Sequence, residues 1–202
     1  MRAEQVNRSH GLEAFLESAE PDSGGALQVR IETGLALVNL RGDPRDPAFR
    51  EAAEAALGQT LPLRANTSSI GPHRSYWLGP DEWLVTTTLG GLHELLSRLD
   101  ESLAGLASCN EVGGGMVALW VSGPATREVL AKGCPLDLHP DAFPVGACAR
   151  SVLAKAGIFL SLHDDTPTFL VVVARSYADY LARWLRQAAR AEGGAEFVVG
   201  DW

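Results

Sequence analysis

The residues best able to do chemistry in this chain are Cys134, the carboxylate pairs Asp81-Glu82 and Asp164-Asp165, and His163, which precedes the second pair. Lys132-Gly133-Cys134 sets a thiol beside a cation at the end of an expected helix. A neighbouring ammonium raises the thiolate fraction, while the negative end of a helix lowers it. With the two effects opposed, a buried structural cysteine is the favoured reading, and a catalytic role through Cys134 is the least favoured. Acid–base catalysis needs two carboxyls held across a substrate with separated pKa values. Adjacent acids in turns more often form and cap those turns, so neither pair is assigned to catalysis.

His163 with Asp164 and Asp165 is the nearest approach to a metal-ligand cluster. The other histidines, His10, His73, His93 and His139, are dispersed, whereas a metal site usually shows a close pair that one helix face can present. A polar turn at a strand end explains the three residues, and His93 reads as a solvated residue at a helix start. Cys109, Cys134 and Cys148 form no C-x-x-C pair and leave an odd count, against both a disulfide framework and a structural zinc site. No nucleophile elbow, Walker loop or dinucleotide-binding turn is present. Gly113-Gly114-Gly115 precedes an expected strand rather than a helix, so it reads as a loop or bulge.

Bulk properties narrow the class further. The net charge of −8 and the scatter of the basic residues argue against nucleic acid and anionic membranes, which call for a basic patch. The densest basic group, Arg175, Arg183, Arg186 and Arg190, reads as the solvated face of one helix. No apolar run reaches membrane-spanning length, and the first residues show no apolar leader, so a cytoplasmic protein with free thiols is expected. Five tryptophans are more than a core of this size needs. Tryptophan is enriched at binding hot spots, which makes Trp77 and Trp202 the candidates for a partner surface.

The elements that would position these residues follow from periodicity and turn chemistry. Residues 1–24 read as an arm or tail, in which 11–16 can dock as one helical turn. Strands are expected at 27–31 and 35–40, joined by a hairpin turn at Glu32-Thr33-Gly34. Asp46 caps a helix that begins at Pro47 and ends at Gly58. A hairpin follows over 75–78 and 83–88, then a helix over 92–104 with Leu92, Leu95, Leu96, Leu99 and Leu103 on one face. The order then repeats: a strand at 116–121, a helix at 125–132 stopped by Gly133, a hairpin over 149–162 turning near Lys155-Ala156-Gly157, a strand at 168–173, and a last helix capped by Ser176 with Asp179. Val38 to Pro44 before one helix echoes Leu119 to Pro124 before another. These features predict an α+β fold of two pseudo-repeated strand–helix–hairpin–strand–helix halves, 25–106 and 107–202.

Three segments carry a family resemblance. Leu78-Gly79-Pro80-Asp81-Glu82-Trp83-Leu84 resembles a motif of the sarcosine oxidase gamma subunit family. So does the run Ser122-Gly123-Pro124-Ala125, Arg127, then Val129 through Pro140, with Phe143-Pro144. Ser176-Tyr177-Ala178-Asp179-Tyr180-Leu181 with Trp184-Leu185 is similar to that family's last helix. The likeness spans about residues 26–190 and extends to the aminomethyltransferase (glycine-cleavage T-protein) and YgfZ-like folate-binding fold, on Gly123-Pro124 before a short helix and Asp137-Leu138 after it.

The resemblance implies a non-catalytic gamma subunit of heterotetrameric sarcosine oxidase, which demethylates sarcosine oxidatively to glycine and passes the one-carbon unit to tetrahydrofolate. It implies alpha, beta and delta subunits as partners, with FAD, FMN, NAD and tetrahydrofolate in the assembled complex and none bound by this chain. A stand-alone folate-binding module is the alternative. Where the T-protein has a threonine- and glycine-rich turn leading to a folate-contacting glutamate, this chain has His163-Asp164-Asp165-Thr166-Pro167-Thr168-Phe169, so a degenerate folate site is expected. The YgfZ-like cysteine motif also begins Lys-Gly-Cys, but Pro135-Leu136-Asp137 does not continue it, and its chemistry is not carried over.

Overall fold

The computed structural model describes residues 12–18 and 25–200; Trp202 and most of the expected arm lie outside them. In chain order the elements are α1 (Glu13–Ser18), β1 (Leu27–Glu32), β2 (Leu35–Gly42), α2 (Pro47–Leu57), β3 (Ser68–Ile70), β4 (Arg74–Gly79), β5 (Glu82–Thr88), α3 (Leu92–Ser102) and β6 (Ala107–Glu111). Then come β7 (Met116–Ser122), α4 (Thr126–Ala131), β8 (Cys148–Leu153), β9 (Ala156–Asp164), β10 (Thr168–Ala174), α5 (Ala178–Ala189) and β11 (Ala195–Val199).

The strands form a six-stranded sheet, β11-β1-β7-β10-β9-β8, and a five-stranded sheet, β3-β4-β5-β2-β6. Side chains alternate between the faces of a strand, and here both faces are apolar. On β7 and β10, Val117, Leu119, Val121, Phe169, Val171 and Val173 pack with Val129 and Leu130 of α4 and with Leu181 and Leu185 of α5. The intervening Ala118, Trp120, Leu170 and Val172 meet Leu37, Tyr76 and Leu84 of the other sheet. On its far face that second sheet sets Val38, Leu40, Trp83 and Val85 against Phe49, Ala53 and Leu57 of α2 and Leu95 and Leu99 of α3. The result is a helix–sheet–sheet–helix sandwich, an α+β fold as expected.

The duplication is visible in the strand orders. The block β3-β4-β5-β2 and the block β8-β9-β10-β7 arise from the same succession of elements. The closing strand β6 pairs directly with β2, but its counterpart β11 pairs with β1, which lies between it and β7. Thus β1 crosses from the first half of the sequence into the sheet of the second half, and β6 crosses the other way. The sheets also touch edge to edge at a Thr67–Ala147 bridge, flanked by the Ser68 N–H donating to the Gly146 carbonyl at 3.0 Å and Cys148 N–H to the Asn66 carbonyl at 3.0 Å.

Several local expectations change. Glu32-Thr33-Gly34 is no hairpin turn. None of the three has positive φ, which a tight two-residue hairpin requires, and the strands on either side enter different sheets. The Glu32 carboxylate accepts from Gly34 N–H and from Trp120 Nε1–H, both at 2.7 Å, and so ties the chain to the six-stranded sheet before it leaves. Ser176 does not cap α5: a 3-10 turn over Arg175–Tyr177 runs straight into the helix with no side-chain cap. Asp179 instead pairs with Arg183 one turn on. The β8–β9 turn falls at Ala154-Lys155, where Ala154 has φ of 54°. By contrast, Asp46 accepts from Ala48 N–H, Pro47 opens α2 and Gly58 closes it in the left-handed conformation, all as read.

Candidate functional site

The structure disperses the residues singled out for chemistry. Cys134 is buried, with its sulfur 3.6 Å from Ser151 Oγ. The Lys132 ammonium turns away from it and reaches the Ala188 carbonyl at 2.8 Å and the Glu192 carboxylate. Sequence adjacency therefore did not place the cation beside the thiol. The glycine between them has a packing reason: a Cβ at Gly133 would lie 2.6 Å from the Trp184 ring. Cys109 and Cys148 are removed from thiolate chemistry by burial, which pushes their pKa values up to about 11 and about 12. Among the described residues no three His, Cys, Asp or Glu groups gather as metal ligands.

Each carboxylate pair splits its duties. Asp164 organises the β9–β10 turn by accepting from Thr166 N–H at 2.9 Å, Thr168 N–H at 3.0 Å and Thr166 Oγ1 at 2.5 Å. Burial works to raise its pKa, and these hydrogen bonds outweigh it and hold the carboxyl below its ordinary value. Glu82 links the two sheets. Its oxygens accept from both terminal guanidinium nitrogens of Arg150, at 2.9 and 2.6 Å, and from the Asn39 amide at 2.8 Å. Asp81 pairs with Arg41 at 2.9 Å in the open. The Arg150 hydrogen bonds are the main reason the Glu82 carboxyl lies below its usual value. Its stabilising effect is therefore full above the ordinary carboxylate pKa and is lost as pH falls through the depressed one. Glu82→Gln is expected to cost about 1–2 kcal/mol at pH 7. In thermal melts from pH 7 to 3, the gap to the unaltered chain closes with acid.

Of the tryptophans, Trp83 is fully buried and donates to the Pro62 carbonyl at 2.9 Å. Trp120 is 4% exposed in the seam between the sheets. Trp77 is half-buried, opposite Trp83 in the β4–β5 register. Trp202 lies outside the described residues. Ile70, Val199 and Leu63 are more open, at 62%, 50% and 47%, and sequence patterning did not mark them. The arginine group is less free than a solvated face: Arg183 and Arg186 lie over the Phe15 ring of α1 at 5.8 and 5.9 Å.

Sequence reading also missed a polar cluster in the seam. Arg74 Nη2 lies 2.7 Å from His163 Nε2, and the His163 ring meets Trp120 edge to face at 5.1 Å. These residues are far apart in the chain, and no local pattern joins them.

The long middle block behind the family resemblance has a structural explanation. Gly123, with φ of 114°, approaches so closely that a Cβ would lie 2.6 Å from the Ala26 carbonyl oxygen. The Arg127 guanidinium donates to the Leu138 carbonyl and covers the Phe169 ring at 5.5 Å, on which Phe143 also stacks at 6.1 Å. These are packing roles. A model of the sarcosine oxidase gamma subunit family matches residues 41–192, taking in this block and the Leu78–Leu84 motif. The chain belongs to that family.

Relatives agree along nearly the whole length. The gamma subunit of sarcosine oxidase from Corynebacterium sp. strain P-1 is 30% identical over 91% of this chain and 90% of its own. The gamma subunit from Corynebacterium sp. strain U-96 is 27% identical over 95% and 94%. A chain of the heterotetrameric sarcosine oxidase of Corynebacterium sp. U-96, solved with pyrrole 2-carboxylate, superposes with a TM-score of 0.82 at 27% identity over 95% of this gamma-family chain and 99% of that one. The aminomethyltransferase T of the Bartonella henselae glycine cleavage system shares the fold, with a TM-score of 0.65 at 16% identity; the chain spans half of its length. No helix among the described residues is long and apolar enough to cross a membrane.

Proposed function

We propose that this chain is the non-catalytic gamma subunit of a heterotetrameric sarcosine oxidase, supporting oxidative demethylation of sarcosine to glycine with transfer of the one-carbon unit to tetrahydrofolate. The observation that carries this reading is the full-length likeness to one chain of that heterotetramer. The dispersal of the nucleophile, acid and base candidates into packing and ion-pair roles supports it. In this reading the alpha, beta and delta subunits are the partners. FAD, FMN, NAD and tetrahydrofolate belong to the assembly and are held by other chains, and the complex is cytoplasmic. Trp77 and Trp202 belong to the surface that meets a partner.

Co-expression of the tagged chain with the alpha, beta and delta subunits of a sarcosine oxidase from the same source tests this. The expected result is a stoichiometric complex carrying flavin absorbance, and recovery of the chain alone would overturn the proposal. The aminomethyltransferase fold leaves a stand-alone folate-binding module as the competing reading. Calorimetric titration of the isolated chain with tetrahydrofolate separates the two. Heat from binding at micromolar ligand favours the module, and none is expected here, because Asp164, Thr166 and Thr168 are engaged in a closed turn.

A further inference from the structure

We infer that the start of β4 is an acid-released clip: His73 and His163 each take a guanidinium donor on a bare imidazole nitrogen, and protonating either ring ejects its arginine and frees the strand. Arg98 Nη2 lies 3.1 Å from His73 Nε2, and Arg74 Nη2 lies 2.7 Å from His163 Nε2. Guanidinium has five donors and no acceptor, so in both rings Nε2 must offer a lone pair and the hydrogen must sit on Nδ1. That tautomer suits His73, whose Nδ1 lies 3.1 Å from Thr87 Oγ1. A proton can be added only at Nε2, where a guanidinium N–H already points. Each bond would become two facing donors on like charges at hydrogen-bond distance.

The neighbours among the described residues bear this out. His73 faces Arg98 and Glu94 from α3 and Thr87 from β5. His163 faces Arg74 from β4, Asp164 on its own strand, and the Trp120 ring from β7, whose N–H is held by Glu32 of β1. The two acids oppose the effect, but burial and then the arginine outweigh them, and both histidines are held below their ordinary pKa. The open strand therefore binds more protons than the closed one, and closure weakens as pH falls below about 6.5. The clip is two-sided because consecutive residues use opposite faces: His73 is tied to α3 and Arg74 reaches across the seam to β9.

The test follows amide exchange over residues 68–79 of the full chain at pH 7.5 and 5.5, corrected for intrinsic exchange, together with imidazole titration by NMR. His73→Gln and His163→Gln keep an acceptor oxygen and do not titrate in this range. Both rings of the unaltered chain are expected to titrate below the ordinary imidazole value of about 6.5. Because pH 5.5 lies only about one unit below the ordinary imidazole value, acid should speed exchange by at most about tenfold for each ring. Each variant should remove part of that rise, and the double variant nearly all of it. Either ring titrating at about 6.5 or above, or an undiminished acid response in the double variant, would overturn the clip. If a variant does not fold, the ring titration of the unaltered chain decides.

Discussion

A chain lacking residues 1–33 is expected to show no cooperative unfolding transition and to be insoluble. The deletion removes Leu12, Phe15, Leu27, Val29 and Ile31, which are at most 1% exposed and belong to the cluster under α4 and α5. At about 1.5–3 kcal/mol for each buried side chain, their sum rivals the whole stability of an ordinary domain, about 5–15 kcal/mol. It also strips the pairing of β7 on one side and leaves β11, which reaches the sheet only through β1, with no strand to join. Deleting residues 1–24 alone provides the control. That change removes Leu12 and Phe15 but keeps the strand, so a cooperative transition should survive with its midpoint lowered by roughly 10–20 °C. Circular dichroism melts of the two truncations would distinguish them, and a stable chain without β1 would refute the role assigned to that strand.

The second large effect is expected at Gly123. Alanine there must adopt a backbone conformation that L residues resist, and its methyl carbon would sit 2.6 Å from a backbone oxygen. That oxygen, of Ala26, also accepts the Ala125 N–H at 3.1 Å, so it cannot retreat without giving up a bond. Gly123→Ala is expected to cost at least about 3 kcal/mol, measured as a shift in the denaturant midpoint. Gly90, where an added Cβ meets nothing and φ is not positive, is the matched control and should change stability by less than about 1 kcal/mol.

Features written in local chemistry were legible in advance. Asp46, Pro47 and Gly58 announced α2 because caps act within a turn, and the leucines of α3 announced its buried face because helical spacing is local. Ser176 misled for a related reason: the residue types of a capping box were present, but the chain entered α5 through a 3-10 turn that left them no cap to make. The short strands β3, β6 and β11 were missed. Ser-Ser-Ile and Ala-Ser-Cys-Asn-Glu carry little apolar alternation, and all three strands are fixed by partners distant in sequence or by edge positions. The seam contacts were beyond reach for the same cause. Glu82 finds Arg150 across 68 positions and Arg74 finds His163 across 89. Of the interface candidates, Trp77 is in place but half-sunk, and the more open Ile70 is an isolated apolar residue with no pattern around it.

The placement of β1 also bears on the order of events at the ribosome. Among the described residues it is the first strand in chain order, yet one of its neighbours is β7 and the other is β11, the last. At roughly 5–20 residues per second, β1 waits on the order of ten seconds for the second of them. Throughout that interval Leu27, Val29 and Ile31 form an unpaired apolar edge on the nascent chain. The first half can close its own sheet early only as far as β6, while the second sheet cannot close until β11 has been made. The stretch from residue 27 to 32 is where a holding chaperone would have reason to bind in the meantime.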